Sequence, residues 1–190
     1  MQEIMAALVL AVSANLDTFS VAVSYGIKKI KIPMASNVLI SLLTTIGTFL
    51  SMEFGLLISE FIPSWLANAI GGIAIALIGI GFLIDYFINI NRNKDTIPMA
   101  DSDHSGDISL KEALPLIIAL TVNNLGVGIS GSMAGVSTIY TTCFTFIVTA
   151  LFLVTGTFAG KTVFGRLFGK YTPLISNILL ILLGIYEIIF

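Results

Sequence analysis

Two groups of oxygen-bearing side chains in this chain have a spacing that could hold a hard cation. Residues 101–112 read Asp-Ser-Asp-His-Ser-Gly-Asp-Ile-Ser-Leu-Lys-Glu. The twelve-residue EF-hand loop draws oxygen ligands from positions 1, 3, 5, 7, 9 and 12 and turns sharply at a glycine in position 6. Those positions hold Asp101, Asp103, Ser105, Asp107 through its backbone carbonyl, Ser109 directly or through water, and bidentate Glu112, with Gly106 at the turn and apolar Ile108 at position 8. Such a ligand set suits Ca²⁺, or Mn²⁺ or Mg²⁺. Two plainer readings compete with it. Ser109 and Glu112 make a capping box that would start a helix, and a solvated acidic linker would share the composition but not the spacing of Asp101, Asp103 and Gly106. Pro98 argues against an entering helix ahead of the loop.

The second group surrounds Asp17, an acid in the middle of an apolar run. A carboxylate at a bilayer centre costs about 2.5 to 3.5 kcal/mol, so it must face a protein interior or a wet cavity. Ser13, Ser20 and Ser24 fall on its helical face at i−4, i+3 and i+7. A matching block follows much later: residues 13–24 align with residues 119–130, setting Asp17 over Asn123, Val21 over Val127 and Ser24 over Ser130. Thr121 and Asn124 flank Asn123, and Gly126, Gly128 and Gly131 leave space beside them. Asp17, Ser20, Thr121, Asn123 and Asn124 are therefore the candidate pathway residues, offering one charge and several neutral oxygens to a hard cation. An interhelical hydrogen-bonded tie is the plainer reading of Asp17. Glu53, Asp85 and Glu187 lie nearer the ends of their apolar runs, where interfacial placement is the plainer reading and a pathway role the alternative.

Composition fixes where such groups can sit. Of the 190 residues, 56% are hydrophobic and 11% charged, against roughly 25% charged in soluble domains, which excludes a water-soluble enzyme. Apolar runs near residues 4–26, 37–59, 65–88, 113–134, 140–160 and 172–190 are each long enough to cross a bilayer. In hydrocarbon their backbone groups must be satisfied within the segment, so they are helices. No basic cluster suits nucleic acid. The lone His104 and lone Cys143 lie in different parts of the chain, so no nucleophile and base pair appears and no enzyme activity is expected. Met1-Gln2-Glu3 lacks the positive region of a cleavable signal, so the first apolar run is expected to remain.

All nine Lys and Arg residues fall in the first, third and fifth connections: Lys28, Lys29, Lys31, Arg92, Lys94, Lys111, Lys161, Arg166 and Lys170. Six crossings put those connections on one side, which the positive-inside rule makes cytoplasmic, with both termini outside. The expected architecture is an all-α membrane protein of six transmembrane helices. It divides into a three-helix repeat over 1–90, a cytoplasmic loop over 91–112 and a second three-helix repeat over 113–190. Since three is odd, the repeats are inverted, the plan of many secondary transporters.

Asp17-Thr-Phe-Ser-Val, its counterpart in the fourth run and the six-span layout resemble the small manganese efflux pumps over nearly the whole chain. Tyr25-Gly26-Ile27-Lys28-Lys29-Ile30-Lys31-Ile32-Pro33 and Ala100-Asp101-x-Asp103-x-Ser105-Gly106 are similar to the YtaF-type sporulation membrane proteins within that superfamily. The resemblance implies a multipass inner-membrane cation exporter with outward termini and a divalent cation as partner. The alternative is a non-transporting protein that senses cytosolic cations and acts in sporulation. One departure stands out: the pumps carry aspartate in both halves, and here the second position is Asn123. In the second run, Thr48 and Phe49 stand where many pumps have a further polar residue.

Overall fold

The computed structural model describes residues 2–89 and 105–189. Six helices fill them: α1 (Gln2–Ile27), α2 (Met34–Ser59), α3 (Ser64–Asn89), α4 (Leu110–Met133), α5 (Thr138–Ala159) and α6 (Val163–Ile189). All six contain a stretch long and apolar enough to cross a membrane. The expected spans agree with these helices to within a few residues, except at α6. Its apolar part is Tyr171–Ile189, but the helix begins at Val163, so Arg166 and Lys170 lie in its opening turns rather than in a connection. The α4 helix likewise starts at Leu110, taking Lys111 and Glu112 out of the preceding loop.

The bundle is apolar outside and hydroxyl-rich inside. Leu50, Phe54, Leu77, Ile118, Val122, Ile147 and Val154 are exposed, while Asn15, Thr18, Ser41, Thr44, Thr48, Asn124, Thr145 and Thr149 are buried. Lipid tails are as apolar as leucine, so burying leucine against leucine gains little in a bilayer; close packing of small residues and interhelical hydrogen bonds hold such helices together.

Close contacts give each pair its direction. Gly26 meets Gly160 and Ala22 meets Gly156, so α1 and α5 run parallel. Gly128 meets Ser51 and Ser132 meets Gly55, so α4 and α2 also run parallel. Leu10 meets Gly131 and Asp17 meets Asn123, which makes α1 and α4 antiparallel. The principal pairings are α2 on α4, α1 on α5 and α3 on α6, followed by α1 on α6, α2 on α5 and α3 on α4. Exchanging helices 1–3 for 4–6 carries this pattern onto itself.

The described parts of the basic connections gather at one end. Lys29 takes a left-handed conformation (φ 61°) after α1, and Ile30 N–H donates back to the Tyr25 carbonyl at 2.9 Å, a Schellman-type stop. The chain then meets the segment before α4. Lys31 N–H donates to Gly106 O at 2.9 Å and Ile108 N–H to Lys31 O at 3.0 Å, forming a one-residue parallel bridge between Lys31 and Asp107. The Gly26–Gly160 contact brings the end of α5, and so Lys161, to the same end.

An added methyl at Gly160 would run into the Val23 carbonyl of α1, whereas one at Gly81 would meet nothing within 4 Å. Gly160→Ala is therefore expected to destabilise the detergent-solubilised protein by about 1–3 kcal/mol through overpacking, and Gly81→Ala to leave it within about 0.5 kcal/mol. Thermal unfolding of the two variants checks this.

Candidate functional site

Asp17 and Asn123 meet across the α1–α4 contact. Asn123 Nδ2 donates to Asp17 Oδ2 at 2.7 Å, and the partners stand 106 residues apart, the offset at which residues 13–24 align with residues 119–130. The other carboxylate oxygen, Oδ1, accepts from Thr18 N–H at 2.6 Å and Thr18 Oγ1 at 3.4 Å. Both oxygens of the half-buried acid thus have donors, which is how a carboxylate is tolerated in a low-dielectric interior. Two antiparallel helices crossing at the middle of their spans bring these side chains to one level.

The remaining candidates lie around the pair. Ser20 is half-buried, one turn along α1, and its carbonyl accepts from Ser24 Oγ at 3.1 Å. Thr121 packs its methyl against Gly47 of α2, and its hydroxyl has no partner among the described residues. Asn124 is buried with its Oδ1 unpartnered. It stands one turn before Gly128, which faces Ser51, so Asn123 and Asn124 serve different neighbours: α1 and α2. Ser13 is tied through its backbone, its carbonyl accepting from Ser176 Oγ of α6 at 2.5 Å. Among the described residues no three of His, Cys, Asp and Glu converge. The site therefore has a single carboxylate, enough to balance half the charge of a divalent ion.

Of the loop candidates, Asp101 and Asp103 lie outside the described residues. Ser105 Oγ donates to Asp107 Oδ1 at 2.9 Å and to Asp107 O at 3.0 Å, so these two expected ligands are adjacent. Gly106 has φ +83°, the left-handed turn expected at its position. Ser109 and Glu112 form the capping box on α4: Glu112 Oε2 accepts from Ser109 N–H at 3.0 Å and from Ser109 Oγ at 2.7 Å. Ile108 is fully buried in a cluster with Tyr25, Ile40, Leu116 and Leu153, and its carbonyl accepts from Ser36 Oγ at 2.6 Å. The end of the loop is thereby fastened to both α2 and the α1–α2 turn.

Two features were absent from the sequence reading. Asn15 is buried and accepts at Oδ1 from Thr149 Oγ1 of α5 at 2.7 Å, while its Nδ2 donates to Ala11 O. The row Thr138, Thr141, Thr145 and Thr149 is buried along one face of α5. Its helical spacing is legible in the sequence, but only the α1–α5 packing reveals which side of α5 is interior.

Six apolar helices around a polar interior, with a carboxylate at mid-span, define a multi-pass membrane protein. The chain belongs to the family described as "Mntp: Putative manganese efflux pump", which matches over residues 81–188. "Probable sporulation protein YtaF" of Bacillus subtilis (strain 168) is 29% identical over 95% of this chain and 97% of its own length. "Putative manganese efflux pump MntP" of Bacillus thuringiensis subsp. konkukian is 29% identical, covering 97% of this chain and 96% of its own. The protein of the same name from Methanosphaera stadtmanae is 24% identical over 93% and 94%. No solved structure gives a significant match. The chain is a multi-pass cell-membrane protein of that family.

Asn123→Leu leaves Asp17 Oδ2 without its donor and is expected to lower the stability of the detergent-solubilised protein by about 1.5–3 kcal/mol, read by thermal unfolding.

Proposed function

We propose that this protein is a secondary transporter that moves a divalent cation, manganese foremost, across the cell membrane. The observation that carries the reading is the Asp17–Asn123 hydrogen bond at mid-span between the first helices of the two halves. Intramembrane acids mark ion pathways, and transporters built from inverted repeats bind substrate at the repeat interface near the midplane. The 106-residue correspondence, the antiparallel α1 and α4, and the exchange symmetry of the packing support the inverted-repeat reading. In it Asp17 binds the ion or the counter-proton, and Ser20, Thr121, Asn123 and Asn124 lend neutral oxygens. The end bearing the basic connections is taken as cytoplasmic, and rocking of the two halves exposes the site alternately. No enzymatic step is proposed.

A second reading concerns residues 101–112 as a Ca²⁺, Mn²⁺ or Mg²⁺ site. Its support is the turn at Gly106, the adjacency of Ser105 and Asp107, and the bond from Lys31 to this segment, which gives a cation bound there a route to α1. A cation-sensing protein with a role in sporulation is the corresponding alternative, supported by the similarity to the sporulation protein of Bacillus subtilis.

Flux and binding separate the two. In proteoliposomes under a pH gradient, wild type is expected to move Mn²⁺ and Asp17→Asn to lose at least 90% of that flux; absence of wild-type flux under every ion or pH gradient would overturn the transporter reading. Asp101→Ala combined with Glu112→Ala is expected to abolish calorimetric Ca²⁺ binding without altering Asp17-dependent flux at saturating Mn²⁺. Undiminished Ca²⁺ binding in that double variant would remove the loop site.

A further inference from the structure

We infer that the buried seam between the first half of α5 and helices α1 and α2 is a passage for a hydrated cation. It joins the Asp17 layer to the end of the bundle away from the basic connections. The inference rests on the transport reading and names the route by which the ion enters or leaves that site.

Thr138, Thr141, Thr145 and Thr149 recur at helical spacing and are 8%, 2%, 1% and 0% exposed. Thr149 donates to Asn15, two residues before Asp17. The hydroxyls of Thr138, Thr141 and Thr145 have no partner among the described residues. A helical threonine can satisfy itself by donating to a carbonyl one turn back. Thr44 and Thr48 of α2 do so, as do Thr155 and Thr157 near the other end of α5. Thr141 and Thr145 forgo this bond, and Thr138, the first residue of α5, has no helical turn behind it. All three buried hydroxyls are poised for another donor or acceptor, which water or the water shell of a cation supplies.

Register shows what they face. Gly26–Gly160, Ala22–Gly156 and Asn15–Thr149 share one offset of 134 residues. Continued toward the N-termini, that offset sets Ala11 and Ala7 opposite Thr145 and Thr141. Both alanines are fully buried and bring only a methyl group. On the other flank, Asn37 Nδ2 of α2 donates to Ala150 O at 3.2 Å. The same helix carries Thr45, whose buried hydroxyl is also unpartnered among the described residues.

Each half of the interior holds an apolar cluster: Ala7, Leu10, Met52, Ile75, Val127 and Leu180 away from the basic end, and Ala22, Tyr25, Ile40, Ile108, Leu116 and Leu153 toward it. What differs is the use of the polar groups, because toward the basic end buried Asn37, Ser41 and Thr44 are hydrogen-bonded within the protein. There Ser36 is engaged by Ile108 O. Toward that end the hydroxyls unpartnered among the described residues are those of Tyr25 and Thr121, whereas the unbroken row Thr138, Thr141 and Thr145 leads the other way. Neutral hydroxyl oxygens cannot replace the charge of a carboxylate, but they can hydrogen-bond the water shell of a hard cation such as Mn²⁺ on its way to Asp17.

Cysteine labelling in sealed vesicles tests this. The native thiol at Cys143 is exposed, so the background is Cys143→Ser, and Lys161→Cys reports access from the basic end. Thr141→Cys and Thr145→Cys are expected to react with a charged, membrane-impermeant methanethiosulfonate at least tenfold faster from the opposite face. Saturating Mn²⁺ should slow that reaction at least threefold, while Ile147→Cys, exposed on the outer side of the same helix, should stay unreactive. Silence of Thr141→Cys and Thr145→Cys from both faces, or faster reaction from the basic face, would overturn the passage. Labelling that Mn²⁺ does not slow would overturn its use by the cation. Protected labelling in a protein that shows no flux would sink the transport reading and leave the passage standing.

Discussion

The structure is organised around the need to satisfy one carboxylate in a medium that solvates nothing. Asp17 lies halfway along a helix whose outer surface faces hydrocarbon, and its two oxygens are met by Asn123 and by Thr18. Without a donor from α4 the acid would have only its own helix to bond to. The α1–α4 approach is needed for that donor, and the parallel pairs α1–α5 and α2–α4 hold α1 and α4 from behind. Glycine and alanine at those seams keep the backbones close enough for the side chains of α1 and α4 to meet.

Around this centre the two directions along the bundle differ. Toward the basic connections an apolar cluster is capped by Ile108, whose backbone is bonded to Lys31 and Ser36, and the buried Asn37, Ser41 and Thr44 are hydrogen-bonded within the protein. Away from them a second apolar cluster stands beside a row of hydroxyls on α5 that have no partner among the described residues. A packing pattern that maps onto itself when the halves are exchanged thus carries unlike side chains. In the proposed transport cycle, that difference is what would make one conformation open to one side. The loop before α4 gains its interest from position: it enters the helix that bears Asn123 and is bonded to the turn that follows the helix bearing Asp17.

Much of this was legible beforehand. Six helices follow from the length of the apolar runs, because hydrocarbon leaves a spanning backbone no other way to pair its groups. Boundaries were less secure where polar residues continue a helix beyond the membrane, so Arg166 and Lys170 read as connection although α6 begins at Val163. Asp17 and Asn123 could be set over one another beforehand, because aligning residues 13–24 with residues 119–130 superposes them. The Asn15–Thr149 tie was not legible, since threonine suits both a lipid-facing and an interior position and sequence spacing does not say which helix lies alongside.

The sequence by itself determined the class of protein, the number of spans, the sorting of charge to one end and the one acid that has to find a partner. These depend on transfer free energies of single residues and runs, which are local. Tertiary structure alone decided that Asp17 meets Asn123 rather than another donor, that Ile108 is buried among α1, α2, α4 and α5, and that the threonines of α5 turn inward. Those outcomes depend on which faces of which helices touch, and in a bilayer that choice rests on close packing and hydrogen bonds between helices distant in the chain.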